Sequence, residues 1–523
     1  MVKWLILVLY LLLMVGIGVY CNRKTKSVSD FVLGGRSIGP WFSAFAFGTS
    51  YFSAVVFIGY AGQFGWKYGI SASWIGLGNA LIGSLLAWLV LGRRTRTMTK
   101  HLDATTMPEY FEKRYGSKGL KIASSLIVFL FLIPYTASVY NGLSRLFESS
   151  LGIPYIYCII IMAVFTAIYV IAGGFHATAL NDFIQGIIML IGILAVVFTV
   201  VNKAGGFGTA MQNLGAIPDD NGNTGTLNSV FGPAPLDLLG VVILTSLGTW
   251  GLPQMIQKFY SISDDSAIKR GTIISTVFAI IVSGGCYFLG GFGRLFATAD
   301  ETDTTKAFIQ KLANGKLEFD AIVPSMLEST LPEALMGLIV VLVLSASMST
   351  LSSLVLTSSS TLTLDLIKPA MLKKGREMDD KKQVFIIRIF IALFLLLSVI
   401  MAAYKNAYIT TLMSISWGAL SGSFLAPFML GLYSKKITPA AVWACFIFAV
   451  CFTLLHTSLF LLGWFPELTK TVAGLPIPIS LTSPLNAGAF CMLFGLILCP
   501  IVSKFSKVKD EKAVDEIFTC YNA

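Results

Sequence analysis

Charge is scarce in this chain. Only 12% of its 523 residues are Asp, Glu, Lys or Arg, and histidine occurs three times, at His101, His176 and His456. From so few groups no Ser/His/Asp set, His-rich metal cluster or phosphate-binding loop can be assembled, which argues against an enzyme. The eight cysteines are scattered, mostly inside apolar runs, and none forms a CxxC pair. Neither a disulfide framework nor a zinc site is therefore indicated. The loops between apolar runs reach only about thirty residues, too short for a water-soluble domain with its own core. The first apolar run, Trp4–Tyr20, is followed by Arg23, Lys24 and Lys26. A signal peptide carries its positive charge before the apolar stretch, so this run reads as a retained first span.

What the chain has instead is apolar surface: 55% of it is hydrophobic. No soluble fold buries that much, so the expectation is an all-α, multi-pass protein of the lipid bilayer. The net charge of +11 does not point to nucleic acid, because the basic residues sit in short clusters between apolar runs. There they set orientation. Thirteen spans are predicted, at about 3–21, 41–62, 69–92, 119–147, 154–173, 176–202, 236–258, 271–294, 333–366, 384–404, 408–433, 438–463 and 479–503. With the N-terminus outside, the inside segments collect Arg93, Arg94, Arg96, Lys258, Lys269, Lys373, Lys374, Lys435, Lys436 and Lys509 among others. The outside segments hold far fewer basic residues, such as Lys67, Lys203, Lys316, Lys405 and Lys470. The positive-inside rule then places the N-terminus outside and the C-terminus in the cytoplasm.

Two of the predicted spans are interrupted. The second, WFSAFAFGTSYFSAVVFIG, is broken at Gly48-Thr49-Ser50-Tyr51, and the seventh, LLGVVILTSLGTWGLPQMIQKF, at Gly248, Gly251 and Pro253. Proline removes a backbone donor and glycine tolerates unusual angles. Irregular backbone at membrane depth persists only where it lines a cavity or is buried in protein. With the first span set aside, the broken helices are first and sixth of twelve. That is the spacing of a five-plus-five inverted repeat with its binding site at the breaks; two ordinary kinked helices are the alternative. The expected organisation is 1–40 as an extra helix and cytoplasmic loop, 41–202 as the first repeat, 203–235 as an extracellular loop, 236–433 as the second repeat, and 434–523 as C-terminal helices and tail.

The ninth span carries an unusual run of hydroxyls, SASMSTLSSLVLTSSSTLT, from Ser345 to Thr363. At 100° per residue, Ala346, Ser349, Thr350 and Ser353 share a face, flanked by Ser352. Such a stripe either bonds its own helix carbonyls and lets neighbours approach, or supplies neutral oxygens to a small cation. Opposite the first break it would meet freed carbonyls such as those of Thr49 and Phe52. With the Ala346 carbonyl and the Ser349 and Thr350 hydroxyls these make a neutral cage suited to a monovalent ion, since calcium and magnesium sites usually add carboxylates. Asp182 is the ionisable residue that stands out within a span. It either caps its helix, bonds Asn181 or a neighbouring helix, or completes a second cation site with Ser349, Ser352 and Ser353.

The segments SDFVLGGRSIGPW, TMPEYFEKRYGSK, AGGFHATALNDFIQG, GTWGLPQ and SASMSTLSS together resemble the sodium:solute symporter family over nearly the whole chain. The resemblance implies a LeuT-like fold with one extra N-terminal helix, a plasma-membrane location, and sodium-driven uptake of a solute. It implies a main sodium site at Thr49, Phe52, Ala346, Ser349 and Thr350, and a second at Asp182, Ser349, Ser352 and Ser353. Some segments look most like the proline symporters and others like the pantothenate symporters. An Asp of the proline symporters is Tyr51 here, a Trp is Val55, and aromatics of the second break become Thr245 and Thr249. The glutamine that sugar symporters place in the first break is Val56, which leaves a sugar without that partner. The expected pocket comprises Ser53, Val56, Tyr135, Thr249, Trp250, Pro253 and Gln254. A small solute bearing a carboxylate fits best: a proline-like amino acid, pantothenate or a monocarboxylate. Proton coupling at Asp182 and a transporter-like sensor are the alternatives. The expected partners are solute, sodium and lipid, with no nucleic acid and the oligomeric state left open.

Overall fold

Inside a bilayer no water is available to the backbone, so a lone apolar segment must satisfy its N–H and C=O groups within itself, and only a helix does that. The computed structural model describes residues 2–22, 27–311, 317–403, 409–462, 483–508 and 510–522. Among them the only strands are a short parallel pair, Ala297–Thr298 with Ala307–Phe308. The long helices are α1 (Val2–Asn22), α2 (Pro40–Tyr51), α3 (Val55–His101), α4 (Lys118–Leu151), α5 (Tyr155–Lys203), α6 (Pro235–Leu247) and α7 (Pro253–Tyr260). They continue with α8 (Asp265–Gly290), α9 (Glu333–Lys373), α10 (Asp380–Ala403), α11 (Ile409–Tyr433), α12 (Pro439–Leu461) and α13 (Pro484–Phe505).

Ten helices among the described residues are long and apolar enough to cross a bilayer, or eleven with the pair bent by 47° at Leu252 counted as one span. Two of the ten, α3 and α5, have 47 and 49 residues. At 1.5 Å per residue that is about 70 Å, more than twice a hydrocarbon core of ~30 Å. Each contains a glycine with non-helical angles: Gly69 (φ 61°, ψ −141°) and Gly174 (φ 53°, ψ −147°). A side chain is excluded at both. A Cβ on Gly69 would stand 2.1 Å from the Leu227 carbonyl, and one on Gly174 would stand 2.7 Å from the Phe31 ring.

Burial separates centre from periphery. In α9 83% of the apolar window is buried, against 28% in α1, α10 and α12. The hydroxyl-bearing helix therefore lies at the centre of the bundle, as does α11, which is buried to the same 83%. Leu5, Leu9 and Leu12 of α1, Leu396 of α10 and Leu455 of α12 turn outward, where lipid takes the place of packing. α1 lies against α5 and α9, and the Tyr10 hydroxyl accepts a 2.9 Å bond from Gln185.

The first break falls later than the sequence suggested. Gly48 to Tyr51 stay helical, and the chain opens at Phe52 (φ −108°, ψ 96°) and Ser53 before α3 begins. The second break lies where glycine and proline predict it: a tight turn over Gly248–Gly251, then Leu252 extended (φ −82°, ψ 121°). Of the basic residues used for orientation, Arg23, Lys24, Lys26, Lys316, Lys405, Lys470 and Lys509 lie outside the described residues, as do the start of the last predicted span at 479 and the end of the twelfth at 463.

Candidate cation and solute site

α2 ends in the middle of the bundle. The Phe52 N–H still reaches the Gly48 carbonyl at 3.2 Å, after which the regular bonding stops. The last carbonyls of a helix have no donor within it, so those from Thr49 onward need partners elsewhere. The Thr350 Oγ1 of α9 meets them, 3.4 Å from the Thr49 carbonyl and 3.3 Å from the Ser50 carbonyl. The same oxygen lies 3.2 Å from the Ala346 carbonyl one turn back. A hydroxyl has a single proton and satisfies one carbonyl well. Three carbonyl dipoles thus converge around one hydroxyl, an arrangement a desolvated cation would satisfy. The Ser349 hydroxyl stands beside them, 2.8 Å from the Thr49 hydroxyl and 2.6 Å from Asp182 Oδ1. Thr49, Ala346, Ser349 and Thr350 are brought together. Ser50 supplies a further α2 carbonyl at Thr350 that the sequence did not single out, and Phe52 stands where the helix opens.

Six other hydroxyls of α9 divide between two roles. Ser347, Ser352, Ser360 and Thr363 donate to their own helix, to the carbonyls of Val343, Ser349, Thr357 and Ser359. That is the packing role. Ser353 and Thr357 reach across, to the Ser50 hydroxyl at 2.8 Å and the Gln257 amide oxygen at 2.6 Å. Helical phase separates the roles: the outward hydroxyls face α2 and α7, and the rest fold back.

The second expected cluster is only partly assembled. Asp182 is fully buried and lies about two turns beyond the Gly174 break, too deep in α5 to cap it. Its Oδ1 takes the Ser349 hydroxyl, while Ser352 and Ser353 are engaged elsewhere. Its Oδ2 is 3.4 Å from Lys258 Nζ of α7. Lys258 counted in the sequence as an inward loop charge. In the fold it is 3% exposed, with its ammonium also 5.2 Å from the centre of the Phe175 ring. The sequence contained a signal for this: Lys258 closes the second interrupted span rather than sitting in a basic cluster.

Aromatic residues enclose the space between the breaks. The Tyr51 ring stacks on Phe52 at 4.3 Å, and its hydroxyl donates to the Thr245 carbonyl at 2.5 Å. Trp417 of α11 lies 6.4 Å from Tyr51 and 5.8 Å from Tyr135, centre to centre. Trp417 was missed in the sequence, where a single aromatic among the small residues of SISWGALSG was its only mark. Thr249 and Trp250 donate to α3, to the Gly83 carbonyl at 3.2 Å and the Ile82 carbonyl at 3.0 Å. Those donors act between helices. Ser53 starts α3: its hydroxyl accepts from the Val55 N–H at 3.2 Å and its carbonyl from Val56 and Phe57. Val56 and Pro253 are buried beside the two breaks. Gln254 is 1% exposed, with neither amide atom bonded. Buried polar groups are rarely left unsatisfied, so Gln254 marks where a polar ligand or water belongs.

Both ends of this space are closed. At one end Arg145 pairs with Glu318, Thr410 bonds Gln63 at 2.5 Å, and Asp320 accepts from the Ile409 N–H at 3.4 Å. Burial pushes the Asp320 carboxyl up to about 6, with Arg145 opposing the shift. At the other end Gln257 bridges Thr357 and the Val32 carbonyl. Beside it Arg36 donates to the Ala104 carbonyl at 2.6 Å, and Thr106 to Asp365 at 2.7 Å.

Comparison with known proteins gives this geometry a context. Residues 31–447 match the model of the sodium:solute symporter family. The chain is 28% identical over 442 residues to the osmoregulated proline transporter OpuE of Bacillus subtilis (strain 168), covering 84% of this chain and 85% of that protein. It is 30% identical over 444 residues to a sodium/proline symporter of Staphylococcus aureus (strain JH9), with 84% and 82% covered. Among solved structures, the substrate-bound outward-open state of a sodium-coupled sialic acid symporter superposes with a TM-score of 0.73 at 16% identity, covering 97% of this chain and 98% of that one. Mhp1, a nucleobase-cation-symport-1 family transporter in a closed conformation, gives 0.51 at 12% identity, with 93% and 98% covered. These two carry the fold: a helical, LeuT-like transporter. The chain is therefore a transporter and not an enzyme, and it belongs to the sodium:solute symporter family.

Proposed function

We propose that this chain imports a small carboxylate-bearing solute through the plasma membrane by alternating access, driven by sodium. The observation that carries the proposal is the convergence of the Thr49, Ser50 and Ala346 carbonyls on Thr350 Oγ1, beside Ser349. Sodium at that point ties α2 to α9. Because it binds better when the two helices are together and the outside is open, it favours the outward-open state; an ion with equal affinity for both states would shift nothing. Solute then enters between the breaks, near Gln254, Tyr135 and Trp417. Its carboxylate is favoured near the N-terminus of α7, the positive end of that helix's dipole. Rocking opens the cytoplasmic end, and sodium leaves first.

In this reading the breaks at Gly69 and Gly174 divide α3 and α5 at the membrane surfaces. The chain then crosses thirteen times, with the N-terminus outside and two repeats at 41–202 and 236–433. The end closed by Arg145 and Glu318 is the outer one. The proline-transporting relatives make a proline-like amino acid the first solute to try. Tyr51, where those symporters carry an Asp, changes the wall of the pocket, so pantothenate and monocarboxylates belong in the same screen.

The test is uptake by the purified chain in proteoliposomes, with proline, pantothenate and short monocarboxylates offered under inward gradients of sodium, potassium or choline. Uptake of at least one solute only with sodium is expected. Uptake driven by a pH gradient without sodium would overturn the coupling ion.

A further inference from the structure

The structure places a tethered cation where the second sodium site of the resemblance would lie, and we propose that Lys258 permanently fills that position, leaving one sodium per transport cycle. This rests on the symport reading above. Of the four groups expected to hold a second sodium, Ser352 donates to its own helix and Ser353 bonds Ser50. Asp182 has both oxygens engaged, Oδ1 by the Ser349 hydroxyl at 2.6 Å and Oδ2 by Lys258 Nζ at 3.4 Å. The carboxylate and the ammonium are both buried, with side chains 0% and 4% exposed. The carboxylate is therefore already neutralised, and a sodium ion beside it would be a second positive charge on a single negative one in a buried site, where charges are screened little.

The arrangement has a mechanical side. Sodium at Thr350 joins α2 to α9. The Lys258–Asp182 pair, relayed by Ser349, joins α7 to α5 and α9. The second link is covalently part of the chain and does not depend on ion concentration. It ties the helix after the second break to the sodium cage in every state in which the pair persists.

The experiment counts sodium bound to the purified full-length chain by equilibrium dialysis with radioactive sodium. Wild type is expected to bind one, with its affinity weakened roughly 5- to 30-fold in Thr350→Ala. Lys258→Met frees Asp182 and is expected to bind two, with a Hill coefficient above one. The neutral pair Asp182→Asn with Lys258→Met should return to one. It serves as the deciding variant if Lys258→Met alone does not give a monodisperse protein: an unchanged count supports the proposal, and a reduced count shows that Asp182 was holding sodium and overturns it. Two sodium ions on wild type, or one on a well-folded Lys258→Met, overturn it while leaving sodium symport intact. No bound sodium in wild type rejects the symport reading and this inference together.

Discussion

At Thr350 one hydroxyl stands among three carbonyls. Removing it deletes a ligand of the proposed cation site and leaves those carbonyls less satisfied. Thr350→Ala is expected to weaken sodium activation of uptake by roughly 5- to 30-fold, the equivalent of about 1–2 kcal/mol for one lost polar contact. Ser349→Ala should act in the same direction. The sodium concentration for half-maximal uptake, normalised to protein in the membrane, measures both; unchanged values would remove these residues from the cage. Gln254 makes the opposite case. Its amide is buried with no bond to lose, and replacing an unsatisfied polar group by an apolar one of similar size is neutral or stabilising. Gln254→Met should leave the thermal midpoint unchanged or raised while increasing the KM for solute. A lower midpoint with unchanged KM would make Gln254 a packing residue.

The elements owe their ends to backbone chemistry. α5 carries a break at Gly174, at angles that only glycine adopts readily, with the Phe31 ring filling the space of a side chain. Gly174→Ala should cost about 1–3 kcal/mol and lower the thermal midpoint in detergent by several degrees. Gly284, inside α8, has open space at its Cβ, so Gly284→Ala should leave the midpoint unchanged or higher, by up to ~1 kcal/mol. Equal effects at the two sites would mean that the Gly174 break does not hold the helix ends in place.

Across the whole molecule, the segment bearing Glu318 and Asp320 closes one end by meeting α4 and α11. Asp320 has its carboxyl pushed up to about 6 by burial. The folded protein therefore holds a proton that the unfolded chain, near the ordinary 3.8, gives up. Stability falls as pH rises from about 4 to about 6, by an amount on the order of 3 kcal/mol for this group alone. Asp320→Asn should flatten that part of the pH–stability profile, measured as the thermal midpoint from pH 4.5 to 7.5. A wild-type profile that rises over this window and is unaffected by the substitution would show that Asp320 is not buried in the closed end.

Much of this was legible in the chain itself. Hydropathy marks where the apolar helices run, because a bilayer leaves the backbone a single local solution. Glycine and proline mark the second break, because they restrict or free the backbone wherever they occur. The hydroxyl run from Ser345 to Thr363 announces an unusual central helix, since hydroxyls at membrane depth need internal partners. Only the tertiary structure decided which hydroxyls fold back and which reach α2, that the Ser50 carbonyl joins that of Thr49 at Thr350, that Trp417 lies beside Tyr51 and Tyr135, and that Lys258 lies against Asp182. Local preferences act on neighbours along the chain, whereas a charge 76 residues away finds its partner only when helices pack and exclude the water that would otherwise solvate both.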